Sequence, residues 1–142
     1  MIRIPANNPK GTYVCFFDGA AWPNPGGVMG QGVVIKKDGQ VVCYKNRQAA
    51  HPDNTNNCSE YLALILLLSK FKDRQGCKIR IYGDSNLVVS QMSGEYRIGK
   101  GKYVEYARKA EKLMHSICKN NSCRIYWIPR EENWEADKLS NT

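Results

Sequence analysis

Histidine is scarce, with only His51 and His115 in 142 residues, and no Ser/His or Cys/His arrangement suggests a side-chain nucleophile. The six cysteines (15, 43, 58, 77, 118 and 123) include no C-x-x-C pair, which argues against a zinc site. Reduced, buried or incidental thiols are expected, and a Cys118–Cys123 disulfide only in an oxidising compartment. No apolar run approaches the ~18 residues of a membrane span. The opening "MIRIPANNPKG" lacks the apolar stretch of a signal peptide, so a soluble, cytoplasmic protein is expected. There is no repeat, low-complexity tract or interdomain linker. Acidic residues are few as well: 13 Asp and Glu against 21 Lys and Arg leave a net charge of +8. That balance favours a polyanionic partner, nucleic acid first and an anionic membrane surface second.

The length suits a single domain spanning 1–142, with residues 1–11 as a short N-terminal extension. Residues 12–18 are rich in β-branched and aromatic types, and 28–37 and 40–48 form two further strand-like runs. Asp38-Gly39 between the last two is a strong hairpin signal. From Asn56 to Arg74 there is no Gly or Pro. "YLALILLLSKF" is apolar on every side, so periodicity alone fits a buried strand or a helix, and length favours helix. Thr55 or Asn56 is placed to cap it, with Ser59 and Glu60 in its first turn. "CKIRIYGD" reads as a buried strand ending at Asp84. Residues 85–93 suit a short helix, and 102–119 an amphipathic one through Tyr103, Tyr106, Ala110, Leu113 and Ile117. Strand "CRIYWI" and a last helix over about Glu131–Ser140 complete the order βββαβααβα. A mixed α/β sheet flanked by helices is expected.

Four carboxylates stand out. Asp18 and Asp84 sit where an apolar strand stops, the edge at which open α/β sheets build their sites. Glu60 lies near the start of the buried helix, and Asp137 in the closing helix among Trp134, Ala136 and Leu139. They are 42, 24 and 53 residues apart along the chain, so only folding can bring them together. Converging carboxylates need counter-charge. Hard divalent cations with oxygen ligands supply it, and two of them about 4 Å apart would clamp an in-line attack on phosphate. Taken singly, an Asp after a strand also suits a turn or cap, and a Glu at a helix start favours the dipole.

The local contexts narrow the choice. "FFDGAAWPNPGGVMGQGVV", "TNNCSEYLALILLL", "IYGDSNLVVSQMSGEY" and "WIPREENWEADKLSN" resemble, in this order, the four motifs of type I ribonuclease H, and together they span about Tyr13 to Asn141. The resemblance implies a ribonuclease H-like fold, a five-stranded mixed sheet of strand order 3-2-1-4-5 with helices on both faces. It implies Mg²⁺- or Mn²⁺-dependent hydrolysis of the RNA strand of RNA/DNA hybrids with two ions per site, leaving 5′-phosphate and 3′-hydroxyl ends. By position, Asp18 is similar to the acid that bridges both metals. Glu60 and Asp84 are similar to ligands of the metal stabilising the leaving oxygen, and Asp137 to the ligand of the metal activating water. Asn24, Asn56 and Asn57 resemble positions that touch the minor groove of the hybrid, Thr55 a phosphate contact on the DNA strand, and Asn86 a position near the RNA. Short amides suit a shallow groove, where 2′-hydroxyls and base edges are both within reach. Asn24 and Asn56 suit caps and turns equally.

Two departures accompany the resemblance. Many members carry a His in the loop before the last acid, whereas "IPREENWEAD" has none; a branch of the family without that His has a similar "PRE.N..AD" pattern. Some members also insert a basic protrusion after the third motif, where this chain has only Gly94 to Gly101. Arg97, Lys100 and Lys102, followed by Arg108, Lys109 and Lys112, still make a basic stretch suited to the DNA strand or to a solvated helix face. Trp22 and Tyr96 are candidates to pack on sugars. A monomer without organic cofactor is expected.

Overall fold

The computed structural model describes residues 11–142. The expected N-terminal extension lies outside the described residues except for Gly11, which opens the first strand. The elements are β1 (Gly11–Trp22), β2 (Val28–Lys37), β3 (Gln40–Gln48), α1 (Asn56–Ser69), β4 (Cys77–Gly83), α2 (Asn86–Met92), α3 (Val104–Cys118), β5 (Ser122–Trp127) and α4 (Trp134–Ser140), the last preceded by a 3-10 turn, Arg130–Asn133. The strands form one sheet of order β3-β2-β1-β4-β5. The β1–β2 and β2–β3 pairs are antiparallel, β1–β4 and β4–β5 parallel. This is the mixed sheet and strand order expected from the sequence.

Local chemistry accounts for the frame. Asp38 (φ 51°) and Gly39 (φ 80°) both take positive φ, and Lys37 pairs with Gln40 across them, the two-residue hairpin that a right-twisted ribbon prefers. Thr55 caps α1, its Oγ1 accepting the Cys58 N–H at 3.1 Å. Helix α1 is apolar all round because it lies between the sheet and α3. Leu64, Leu67, Leu68 and Phe71 are fully buried there, each contributing roughly 1.5–3 kcal/mol of apolar transfer. α1 ends at Ser69 rather than near Arg74, with Phe71–Asp73 in a turn. On β1, Tyr13, Cys15 and Phe17 point into this core. α4 packs on the opposite face, mainly against β2 and β1.

One strand departs from expectation in a way that shapes the site. β1 does not stop at Asp18. Its pairing with β4 ends at Phe16↔Tyr82, while its pairing with β2 runs on through Asp18↔Gly32 to Trp22↔Val28. Beyond Phe16 the sheet opens into a crevice between β1 and the end of β4. Asp18 therefore sits inside a hydrogen-bonded ribbon at the lip of that crevice, with Asp84 just past the last residue of β4.

Candidate active site

Asp18, Glu60 and Asp84 each direct a carboxylate oxygen to one point, all three atoms lying within 4.8 Å of one another. Asp18 and Glu60 are buried, at 4 % and 8 % exposure, and Asp84 is half-buried. Glu60 arrives from the second turn of α1, not the first as the sequence suggested, because the helix begins at Asn56. Gly19 makes the approach feasible: a Cβ there would collide with the backbone of Ser59 and Glu60, so only glycine lets α1 settle this close to β1. Gly32, opposite Asp18 in the register, gives α4 the same latitude, since a Cβ there would strike Ala136 and Leu139.

Asp137 falls outside that 4.8 Å group but is near enough to help raise both Asp18 and Asp84, and it lines the same cavity of about 300 Å³, together with Trp22, Asn56, Arg130 and Asn141. Its Oδ1 meets the Arg130 guanidinium at 3.4 Å and accepts from Asn141 Nδ2 at 3.2 Å. Arg130 is the one basic residue lining the cavity among the described residues.

The electrostatics follow from burial without enough counter-charge. Burial, then the charge of Asp84, pushes the Asp18 carboxyl up to about 7. Burial, then Asp18, holds Glu60 well above the usual carboxylate range. Asp84 is raised by burial, an effect opposed by the amide of Asn133. Asn133 is itself buried and donates through Nδ2 to Asp84 Oδ2 at 3.0 Å and to Phe17 O at 2.9 Å. It thus fixes Asp84 against β1. Its position lies within the "PRE.N..AD" pattern, but its part in orienting an acid has no signal in the sequence, because both partners are non-local. Glu60 Oε2 is buried with no hydrogen-bond partner among the described residues. An orphaned carboxylate oxygen beside two more raised acids fits a hard divalent cation, and Asp18, Glu60 and Asp84 together could hold one.

Of the expected nucleic-acid residues, Asn56 lines the acidic cavity and the others lie on neighbouring loops and helix ends. Asn24 Oδ1 accepts the backbone N–H of Asn56 at 3.0 Å, and Asn56 Oδ1 accepts that of Ala21 at 2.8 Å. Both tie the loop after β1 to the start of α1, so the cap-and-turn reading holds for their oxygens, while neither amide nitrogen has a hydrogen bond among the described residues. Asn57 is exposed beside them, and Thr55 is the α1 cap. Asn86 opens α2, its Oδ1 accepting from Ser90 Oγ at 3.3 Å. Arg97 and Lys100 are exposed on the α2–α3 connection, and Lys102 is paired with Asp53 at 3.2 Å. Trp22 and Tyr96 are 36 % and 50 % exposed, neither in the core. His51 lies in the β3–α1 loop, accepting the Asp53 N–H at 3.1 Å, and His115 is exposed on α3, both outside the acidic cavity.

A mixed sheet of order 3-2-1-4-5, with acids gathered where β1 and β4 diverge, defines a ribonuclease H-like fold. The reverse transcriptase-like family model matches residues 16–142. The bifunctional protein Rv2228c of Mycobacterium tuberculosis is 32 % identical over 124 residues, covering 87 % of this chain and 33 % of the relative. Its N-terminal RNase H domain, solved as a fusion with maltose-binding protein, superposes with a TM-score of 0.77 at 29 % identity, over 92 % of this chain and 97 % of that one. Ribonuclease H of Neorickettsia sennetsu is 30 % identical, covering 82 % of this chain and 79 % of the relative. LC11-RNase H1, solved in complex with RNA/DNA hybrid, gives a TM-score of 0.73 at 29 % identity, over 91 % and 94 % of the two chains. The chain belongs to this reverse transcriptase-like, ribonuclease H family. It spans about a third of the mycobacterial relative's length.

Proposed function

We propose that the protein is an endoribonuclease that hydrolyses the RNA strand of RNA/DNA hybrids, with Asp18, Glu60, Asp84 and Asp137 as its acids. The convergence of Asp18, Glu60 and Asp84 at the mouth of the β1–β4 crevice carries this reading. Asp18, Glu60 and Asp84 would hold one Mg²⁺ or Mn²⁺ ion, and Asp18 with Asp137 a second. When bound, the ions supply Lewis acidity toward the phosphate and a nucleophilic water, giving 5′-phosphate and 3′-hydroxyl products. The chain's own contribution is orientation. β1 and α1 fix Asp18 and Glu60, Asn133 aims Asp84, and Arg130 restrains Asp137 at the open side, where it can also meet a backbone phosphate.

Substrate selection follows from the rim. Asn24, Asn56 and Asn57 offer amide donors to the 2′-hydroxyls and base edges of the shallow groove, with Thr55 toward the DNA-strand phosphate and Asn86 toward the RNA. Arg97, Lys100 and Lys102 attract the DNA strand. Free thiols at all six cysteines support an intracellular, cytoplasmic protein, which we read as a single-domain monomer. The rival reading, a hybrid- or duplex-binding module without catalysis, is disfavoured because all four acids are present and share one cavity.

The test is to incubate the protein with labelled RNA/DNA hybrid, RNA duplex and DNA duplex, with and without Mg²⁺. Cleavage of the hybrid alone, dependent on the metal, is expected. Equal cutting of the RNA duplex would refute the specificity, and binding of the hybrid without cutting would favour the rival. Hybrid affinity should fall steeply with salt, and removing Lys100, Lys102 and Lys109 together should flatten that dependence.

A further inference from the structure

On the sheet face opposite α1, the register lines up two rows across three strands. Phe16, Tyr82 and Tyr126 stand side by side on β1, β4 and β5, and Val14, Arg80 and Arg124 form the next row. The aromatic row is stacked, with ring centroids 5.5 Å apart between Phe16 and Tyr82 and 5.3 Å between Tyr82 and Tyr126. These rings belong to no buried cluster. α4 covers this face only over β2, β1 and β3, and its cover stops at the Lys36–Glu135 ion pair, where Lys36 also lies over the Phe16 ring. Tyr126, at the outer end of the stack, is 38 % exposed.

The cations are the unusual part. Arg80 and Arg124 are register partners across the parallel β4 and β5, so two cationic side chains occupy one row of this face. Lys78, one step along β4 on the same face, extends the strip. All three are exposed, and none forms an ion pair with a carboxylate among the described residues. A stacked aromatic row open at one end, flanked by unpaired cations, is complementary to bases on one side and phosphates on the other.

We infer that this open face binds single-stranded nucleic acid, with a base stacked on the outer face of Tyr126 and phosphates held by Lys78, Arg80 and Arg124. The strand is chemically distinct from the duplex assigned to the crevice. It is the unpaired tail that a partly hybridised substrate carries, and either RNA or DNA meets the same groups.

Fluorescence anisotropy in EDTA with labelled dT20 and rU20 tests this without requiring cleavage. Wild type should bind at least one of them, and their ratio identifies which strand the face prefers. Tyr126→Ala should weaken binding about 5- to 150-fold, while Tyr126→Phe, which keeps the ring, should bind as wild type. Arg80→Gln with Arg124→Gln should lower the slope of log affinity against log salt by about 1.4. An excess of unlabelled blunt hybrid should leave the strand bound, and these variants should cut blunt hybrid at the wild-type rate. Failure of cleavage in every protein would count against the proposed function and leave the anisotropy result standing. The inference is overturned if wild type binds neither strand, if folded Tyr126→Ala and the Arg pair variant bind unchanged, or if blunt hybrid displaces the strand. It is equally overturned if sedimentation shows a dimer that Tyr126→Ala dissolves.

Discussion

Replacing Asp18 by Asn separates a site built for a ligand from one built for stability. The Asp18 carboxyl is pushed from 3.8 up to about 7 in the folded protein by burial and by Asp84. The folded state therefore binds the proton more tightly than the unfolded one, and stability falls as pH rises from about 4 through about 7. At ~1.4 kcal/mol for each tenfold gain in proton affinity, the ionised carboxylate costs at most about 4 kcal/mol above pH 7. Asn keeps the acceptor that takes the Gly19 N–H at 2.9 Å and presents an amide to the neighbouring acids. Its own desolvation offsets part of the gain, leaving about 1–3 kcal/mol. In EDTA at pH 8 the variant should melt about 3–10 °C above wild type, with the difference closing toward pH 4. Mg²⁺ should raise the melting temperature of wild type and much less that of the variant, because an ion held by the trio would bind only the folded state. Cleavage of hybrid should be lost. An Asp18→Asn protein that melts below wild type at pH 8 and still cuts would refute both the electrostatic argument and the site.

Further outcomes follow from the surrounding shell. Asn133→Ala should cost about 2–3 kcal/mol in a denaturant titration and reduce turnover, because Phe17 O and Asp84 both lose their donor; unchanged turnover would show that Asp84 needs no guide. Gly19→Ala should cost about 1–3 kcal/mol or more and weaken Mg²⁺ binding by calorimetry, since α1 must move away and take Glu60 with it. Thr55→Ala should cost about 1 kcal/mol through loss of the α1 cap. His51→Ala and His115→Ala should leave turnover nearly intact; a loss above roughly tenfold would mean an imidazole takes part after all.

The succession of elements was legible locally, in a hairpin dipeptide and apolar runs, whereas the strand order came only with the resemblance of the four motifs, each of which carries one of the candidate acids. What the sequence concealed depends on partners far along the chain. The end of β1 is set by pairing with β2, which no apolar count registers, so the strand appeared to stop at the first charge. Asn24 and Asn56 carry the composition of a groove contact, and only the fold reveals that their oxygens are occupied by backbone donors. The Phe16, Tyr82 and Tyr126 row comes from three strands whose register is invisible in any one of them.

α4 has only seven residues, too few for a helix to persist on its own, and it depends on packing over Gly30 and Gly32 in addition to its own hydrogen bonds. Asp18, Glu60 and Asp84 are anchored to the central sheet and α1, whereas Asp137 rides on this short helix. A local opening of α4 would withdraw one acid, and Arg130's partner with it, while the other three stay together. Amide hydrogen exchange should therefore find the α4 backbone less protected than β1, β4 and α1. The lifetime of the complete four-acid arrangement is then governed by one seven-residue helix, not by the stability of the domain that carries it.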